Sequence, residues 1–387
     1  MKGTWRRGLL GPFAVVIAAF AAACDQPSET GVEPDFARVE QGWERTSFDV
    51  YSQNVYLGGS TASLFDPAVI ADPVALLTAV NTFWAEVQAS DVAGRMSAIV
   101  EEIAAQDPEV VGLQEVLRFV TLGPDFQPDG GGYIDFLAAF EQAIADQGLP
   151  YVKAVEQAGT NSGLPLGIDF STGQVTQYLG FTDRVVIFRR TDVDVTDSDS
   201  GTYTYFVPVA PNVDIKRAWA RITANHEGMK HNFVTTHLES QRVRPVNEAQ
   251  GMELIAMTTA LDGVTIVTGD LNSDAAGMEG DPSYTQTYEN LIAAGFADVW
   301  ELAPHSRNDP GYTCCQADDL RNTVSELDER IDFVLVRSMA DPGMRRGHFR
   351  LDVVGDRISD MTPGGHWPSD HAGLAGSIRG ADAIADD

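Results

Sequence analysis

The stretch "IVTGDLNSD", residues 266–274, is an apolar run that stops at Gly269 and is followed by Asp270 and Asn272. Such a run reads as a buried strand. Side chains on a strand alternate between faces, so residues two apart point the same way. On that reasoning Asp270 and Asn272 project together from the strand's end. Asp, Asn and Gly are also ordinary turn residues, and taken alone the stretch is read more simply as a turn. The two readings separate only if other strands in the chain end in the same way.

Around this stretch, strand-like and helix-like patterns alternate. "SFDVYSQNVY" has period two, which puts Phe48, Val50, Ser52 and Asn54 on one face. "PVALLTAVNTFWAEVQ", "GRMSAIVEEIAAQ", "YIDFLAAFEQAIADQG" and "EAQGMELIAMTTAL" have helical spacing, with Gly148 as a stop for the third. "EVVGLQEV", "DRVVIFRR", "YTYFVPV", "RAWARITA", "HNFVTTHLE", "RIDFVLVR" and "HAGLAGSIR" read as strands. Residues 155–180, rich in Gly, Thr and Ser, read as a surface excursion. Many strands are consecutive, which favours two packed sheets flanked by helices over a single parallel sheet. A doubly wound fold is the alternative, but no GxGxxG or Walker A pattern supports it.

The chain has 387 residues, 44% of them hydrophobic, enough for a sizeable core. Its formal net charge is −30, which repels bare phosphate backbones and argues against nonspecific nucleic-acid binding. A local basic strip of Arg184, Arg189, Arg190, Arg217 and Arg221 is the one feature that could offset this toward a substrate; a solvated or structural face is the plainer reading of it. Of three cysteines, Cys314 and Cys315 are adjacent, and neighbours pair only through a strained ring. They are read as two small buried residues, without CxxC metal spacing.

The N-terminus reads as an export signal. "MKGTWRRG" is basic, "LLGPFAVVIAAFAAA" is apolar and short for a membrane span, and small residues precede Cys24. Ala21-Ala22-Ala23-Cys24 resembles a bacterial lipobox, although the pattern prefers Leu where Ala21 stands. The expected organisation is a signal peptide over 1–23, a lipidated or flexible linker over 24–45, one domain over 46–378 and an acidic tail over 379–387. The expected location is the bacterial cell envelope or outside the cell, with membrane attachment through Cys24 and a monomeric chain.

The polar residues at strand ends form a set: Asn54, Glu115, His237, Asp270 with Asn272, Asp332, and Asp370 with His371. Singly, each has a dull explanation, a turn, a surface charge or a satisfied histidine. Asp332 inside "RIDFVLV" is harder to dismiss, because a carboxylate in an apolar strand costs several kcal/mol unless paired. Together they hold acids, amides and imidazoles but no nucleophilic Ser or Cys. That composition suits a hard divalent cation with oxygen ligands and proton transfer through His.

The pieces "SQNVY", "LQEV", "TTHLES", "TGDLNSD", "RIDFVLV" and "SDHAGL", spread over residues 48–376, resemble in order and wording the endonuclease/exonuclease/phosphatase superfamily. That group includes pancreatic-type deoxyribonucleases, AP endonucleases, bacterial neutral sphingomyelinases and inositol phosphatases. The resemblance implies a four-layer α/β sandwich of two packed, mostly antiparallel sheets flanked by helices. It also implies hydrolysis of a phosphate ester by in-line attack of water with Mg²⁺ or Mn²⁺. By the same resemblance Glu115 is the principal metal carboxylate, with Asn54 beside it and Asp370 close to the metal. Asp270 and Asn272 orient the attacking water and the phosphoryl oxygens. His237 hydrogen-bonds a nonbridging oxygen, His371 is the general base or acid, Asp332 pairs with His371, and Asp183 is the acidic partner of His237.

Subfamily patterns narrow the substrate. "DERIDF" and "GDLNSD" lack the inositol-phosphatase wording, and "QEVLRF" lacks the Lys usual in AP endonucleases. A phosphodiesterase is the expectation, with an extracellular endonuclease or a sphingomyelinase-type lipid enzyme as alternatives. The partner is then a phosphate ester: nucleic acid, phospholipid or a small phosphoester. "TYTYFVPV", residues 202–209, is expected as a core strand rather than a bilayer-entering aromatic hairpin. "GYTCCQADDLRN", residues 311–322, is expected as a substrate-side loop. The reading from another class is a catalytically silent binding protein on this fold; such proteins lose site residues, and here none is missing.

Overall fold

The computed structural model describes residues 47–210, 213–226, 228–281, 284–305, 309–338 and 349–379. The signal peptide, Cys24, the linker and all but the first residue of the acidic tail lie outside the described residues.

Two large sheets dominate. The first runs in spatial order Phe349–Val354, Gly373–Arg379, Ser47–Asn54, Val110–Gln114, Gln174–Arg190, Arg118–Leu122, Pro128–Asp135, with Tyr151–Asp169 also paired to Gln174–Arg190. The second runs Ala297–Asp298, Asp332–Ser338, Val264–Asp270, Met229–His237, Ala218–His226, Asp194–Thr202. Pairing is antiparallel except between Ser47–Asn54 and Val110–Gln114, and between Met229–His237 and Val264–Asp270.

Period-two alternation builds the layers. Phe48, Val50, Val110, Val185 and Ile187 of the first sheet pack on Ile222, Phe233, Ile266, Val334 and Val336 of the second. The other face of the first sheet, with Tyr51, Val111, Leu113 and Phe188, takes the helices Pro73–Ala89, Val92–Gln106 and Phe136–Asp146 through Phe83, Trp84, Ile99 and Phe140. The other face of the second, with Val234, Val267, Phe333 and Leu335, takes the helices Arg244–Thr259 and Thr287–Ala293 through Leu254 and Leu291. Each such buried side chain contributes about 1.5–3 kcal/mol of transfer free energy. The expected arrangement of helix, sheet, sheet and helix is therefore present, and the doubly wound alternative is not.

Two expectations change. Residues 155–180 are not an irregular excursion: they belong to a long antiparallel hairpin, Tyr151–Asp169 with Gln174–Arg190. Gly there sits in a ladder whose backbone bonds outweigh its weak strand propensity, and Thr is itself a strand former. "TYTYFVPV" is not a core strand either. The strand ends at Thr202, Tyr203 is buried, Tyr205 and Phe206 are 54% and 38% exposed, and Val207–Ala210 pairs with Val213–Ile215 as a separate small hairpin.

The pairing directions position the site. Asn54 lies opposite Gln114 at the parallel ends of two strands, and His237 lies opposite Asp270 at the parallel ends of two others. Asp332 begins its strand opposite Asp270, and Gly373 begins its own just after His371. One edge of the sandwich thus gathers four strand ends and two strand starts. Close approach there depends on small residues. At Gly112 a Cβ would press on Thr235, across the sheets; at Gly269, where φ is +123°, it would press on the Thr236 carbonyl.

Candidate active site

Asp270 closes its strand with its carboxylate pointing across to the first sheet. Oδ2 accepts from Asn54 Nδ2 at 3.1 Å and lies 3.3 Å from His237 Nε2 and 3.9 Å from His371 Nε2. Asn272 reaches the same point by a route that strand alternation does not describe. The strand ends at Asp270, Asn272 sits in the left-handed region at φ +48°, and its N–H donates to Asp270 Oδ1 at 2.9 Å. Its side chain then donates to the Leu238 carbonyl at 3.0 Å and lies 3.1 Å from His237 Nε2. Turn chemistry and site chemistry are the same hydrogen bonds here, because Asn tolerates the left-handed conformation that aims it inward.

Glu115 is also aimed by its backbone. It follows the strand Val110–Gln114 at φ +55°, and its Oε2 accepts from the Leu57 N–H at 2.7 Å. Its Oε1 lies 3.9 Å from His237 Nδ1. Asn54 Oδ1 accepts from the Tyr56 N–H at 3.0 Å, so the amide is fixed at both ends.

His371 and Asp332 form a buried dyad, Nδ1 to Oδ2 at 2.7 Å. Burial works against a charged His371 ring, yet Asp332, Asp370 and Asp270 outweigh it and hold its pKa well above the usual imidazole value. His237 goes the other way. Burial, the Arg217 guanidinium and His371 push it well below the usual value. Arg217 Nη1 lies 3.1 Å from His237 Nδ1. Arginine has only donors, so Nδ1 accepts, while Nε2 lies between the Asn272 amide at 3.1 Å and the Asp270 carboxylate at 3.3 Å. The two histidines are therefore driven in opposite directions, His237 toward its neutral form and His371 toward the imidazolium.

Asp183 does not meet His237 directly. Its Oδ2 is 3.8 Å from Arg217 Nη1, which stands between them, and Glu239 holds the other guanidinium nitrogen at 3.2 Å. Burial raises Asp183 to about 7, against the pull of Arg217. Sequence reading missed Glu239 and this role of Arg217. It also missed Arg95, fully buried, which donates to the backbone carbonyls of Ser90, Val55, Tyr56 and Pro368 and so ties the loop after Asn54 to the loop before Asp370. A charge on the apolar stripe shared with Ile99 and Ile103 was the available signal.

The basic strip is not free. Arg184 pairs with Asp135 and Glu156; Arg190 with Asp107, Glu109 and Asp192; Arg217 with Asp183 and Glu239; Arg221 with Asp197. Arg189 donates to the carbonyls of Arg190, Thr191 and Val193. The adjacent cysteines also differ from expectation: they are joined as a disulfide, with Cys314 buried and Cys315 exposed.

The donor set suits a divalent cation. Glu115, Asp270, Asp332 and Asp370 converge, and burial raises Asp270 and Asp370 each to about 7. Asp332 Oδ1 is buried without a hydrogen-bond partner. Ligand atoms of Asp270, Asp332 and His371 lie within 4.8 Å of one another. Asp270 and Asp332 are 3% exposed, however; both oxygens of Asp270 are engaged by Asn54 and Asn272, and Asp332 Oδ2 by His371. Glu115 and Asp370, at 14% and 17%, are the carboxylates open to an ion.

The sequence pattern of the Endonuclease/Exonuclease/phosphatase family matches residues 52–371, most of the chain. The chain belongs to the endonuclease/exonuclease/phosphatase family. Its relatives are phosphoesterase-type hydrolases that generally use divalent metals. Among solved structures, an endonuclease/exonuclease/phosphatase family protein from Leptotrichia buccalis C-1013-b is 15% identical with a TM-score of 0.52, covering 86% of this chain and 100% of that one. An endonuclease/exonuclease/phosphatase from Beutenbergia cavernae DSM 12333 is 17% identical with a TM-score of 0.52, covering 88% and 76%. A mannosyl-6-phosphatase from Bacteroides thetaiotaomicron VPI-5482 is 16% identical with a TM-score of 0.48, covering 86% and 100%. At these identities the likeness is one of fold. No curated protein matches the chain.

Proposed function

We propose that the protein is an exported, Mg²⁺- or Mn²⁺-dependent phosphodiesterase that hydrolyses its substrate by in-line attack of water. The observation that carries this reading is the convergence of two histidines on one carboxylate: His237 Nε2 and His371 Nε2 lie 3.3 and 3.9 Å from Asp270 Oδ2. A divalent ion held by Glu115 and Asp370, with Asn54 beside them, would neutralise charge on the phosphoryl oxygens. Asp270, raised by burial to about 7, is suited to take a proton from water near neutral pH. Asn272 fixes that carboxylate through its backbone N–H. His237 offers Nε2–H to a nonbridging oxygen. His371, kept protonated by Asp332, offers Nε2–H to the oxygen on which charge develops.

Export rests on the N-terminal sequence, and attachment through Cys24 is part of the same proposal. Among diesters, a lipid is favoured over a polynucleotide. The candidate phosphate-tracking arginines are all engaged within the protein, and a net charge of −30 opposes a polyanion. The exposed Tyr205 and Phe206 hairpin, with Lys216 Nζ 5.3 Å from the Phe206 ring, leads directly into Arg217 of the site. Aromatic body and cationic tip together suit a bilayer interface.

Hydrolysis of bis-p-nitrophenyl phosphate with Mg²⁺, abolished by EDTA and restored by added Mg²⁺, is the expected result. Activity indifferent to EDTA would refute the metal-dependent reading, and absence of turnover would favour a silent binding protein. Sphingomyelin vesicles and duplex DNA then separate the two diesters.

A further inference from the structure

Residues 313–316 touch both halves of the His371–Asp332 dyad. Toward Asp332, Thr313 Oγ1 accepts from the Asp332 N–H at 3.1 Å and the Ile331 N–H at 3.3 Å. The N–H groups of Thr313 and Cys314 both donate to the Glu329 carbonyl, at 2.8 and 3.0 Å, and the Cys314 carbonyl accepts from Asp328 and Glu329 at 2.7 and 2.9 Å. Toward His371, the Thr313 carbonyl accepts from the Ala372 N–H at 2.8 Å, and the Gln316 N–H donates to the Asp370 carbonyl at 2.9 Å. Cys314 itself bridges to both Glu329 and His371. In the middle of this four-residue clasp, Cys314 and Cys315 are joined, and their sulfurs and a ring nitrogen of His371 lie within 4.8 Å of one another.

We propose that the Cys314–Cys315 disulfide is a positioning element for His371, so that the dithiol form turns over more slowly at little-changed substrate affinity. This rests on the phosphodiesterase reading. Two unbonded sulfurs need van der Waals separation, roughly 3.5–4 Å. Cys314 is only 1% exposed and is pinned through its backbone on both sides, so the added separation must be absorbed by Cys315 and by the His371 ring against it. Cys315 is exposed, which gives a reductant access to one sulfur. The metal and phosphate contacts assigned to Glu115, Asn54 and His237 come from other loops, and Asp370 is held to the clasp through its backbone carbonyl, at Gln316 rather than at the two sulfurs. The consequence is a loss in kcat rather than in KM. Misplacement of a catalytic group by about 1 Å can cost on the order of 10²-fold, so a fall of about 10- to 100-fold is expected.

The test compares the purified full chain as isolated, after dithiothreitol, and after reoxidation with oxidised glutathione. Dithiothreitol gives two electrons and two protons: its thiols close to a cyclic disulfide while the Cys314–Cys315 bond becomes two thiols. Free thiols are counted, kcat and KM are measured on bis-p-nitrophenyl phosphate, and the His371 ring resonances are followed by NMR. The expected result is a reversible fall in kcat, KM within about twofold, and shifted His371 resonances. The Cys314→Ser/Cys315→Ser variant, whose two hydroxyls likewise cannot bond to each other, should lose kcat in the same direction as the reduced protein and ignore dithiothreitol while melting as a folded chain. Two new thiols with kcat and His371 resonances both unchanged would overturn the proposal. If neither form hydrolyses the diester, the phosphodiesterase reading fails, and the His371 resonances still report whether the disulfide positions the ring.

Discussion

Replacing Asp332 with Asn tests the centre of the mechanism. The carboxylate accepts from His371 Nδ1 at 2.7 Å with both groups buried, and it is the foremost of the acids that keep the ring charged. An amide of the same shape removes the charge that favours the imidazolium; with its NH₂ turned toward Nδ1, that nitrogen accepts and the ring is held neutral, with its one proton on Nε2. A hydrogen bond to a charged group contributes about 1.5–3 kcal/mol. If it is made fully in the transition state, its loss costs about 10- to 100-fold in kcat. The pH profile gives a second reading. Activity that needs protonated His371 falls as pH rises through the ring's pKa. Asp332 holds that pKa up, so the Asn variant should lose activity at lower pH than wild type. The assay is turnover of bis-p-nitrophenyl phosphate at saturating Mg²⁺ across pH, with circular dichroism to confirm the fold. A kcat within about twofold of wild type and an unmoved basic limb would refute the role given to the dyad.

Glu115→Gln should lower turnover by about 10²–10³-fold and raise the Mg²⁺ concentration needed for half-maximal activity, checked by metal titration. Gly269→Ala should destabilise the fold by about 2 kcal/mol or more, read from urea denaturation, because a Cβ at φ +123° presses on the Thr236 carbonyl. Glu102 offers a stability test away from the chemistry. Burial raises it to about 8 although the Tyr51 hydroxyl donates to it, so the folded state binds a proton that the unfolded chain releases near 4.5. Stability from this group is therefore present at low pH and falls as pH rises through the window between those values. Glu102→Gln should flatten that decline, seen as a smaller difference in Tm between about pH 5 and about pH 9.

The apolar periodicities near 48, 110, 233, 266 and 333 determined the strands and the faces they bury, because burial on a pleated surface imposes period two whatever the neighbours are. The hydrophobic helices followed for the same reason at period 3.6. The polar strand ends were visible because Asp332 in an apolar run and paired Asp270 and Asn272 break those periods. What the sequence did not hold was how those groups are aimed. Glu115 and Asn272 enter the site from left-handed backbone, which no alternation rule describes. Arg217 reads locally as a surface cation, yet three distant residues, Asp183, Glu239 and His237, make it the buried group that donates to the His237 ring. The opposite pKa shifts of His237 and His371 likewise come from partners up to 134 residues away, as His371 is from His237. Charge and hydrogen-bond geometry act through space at a few ångströms, so only the packed sandwich decides which side chains are neighbours.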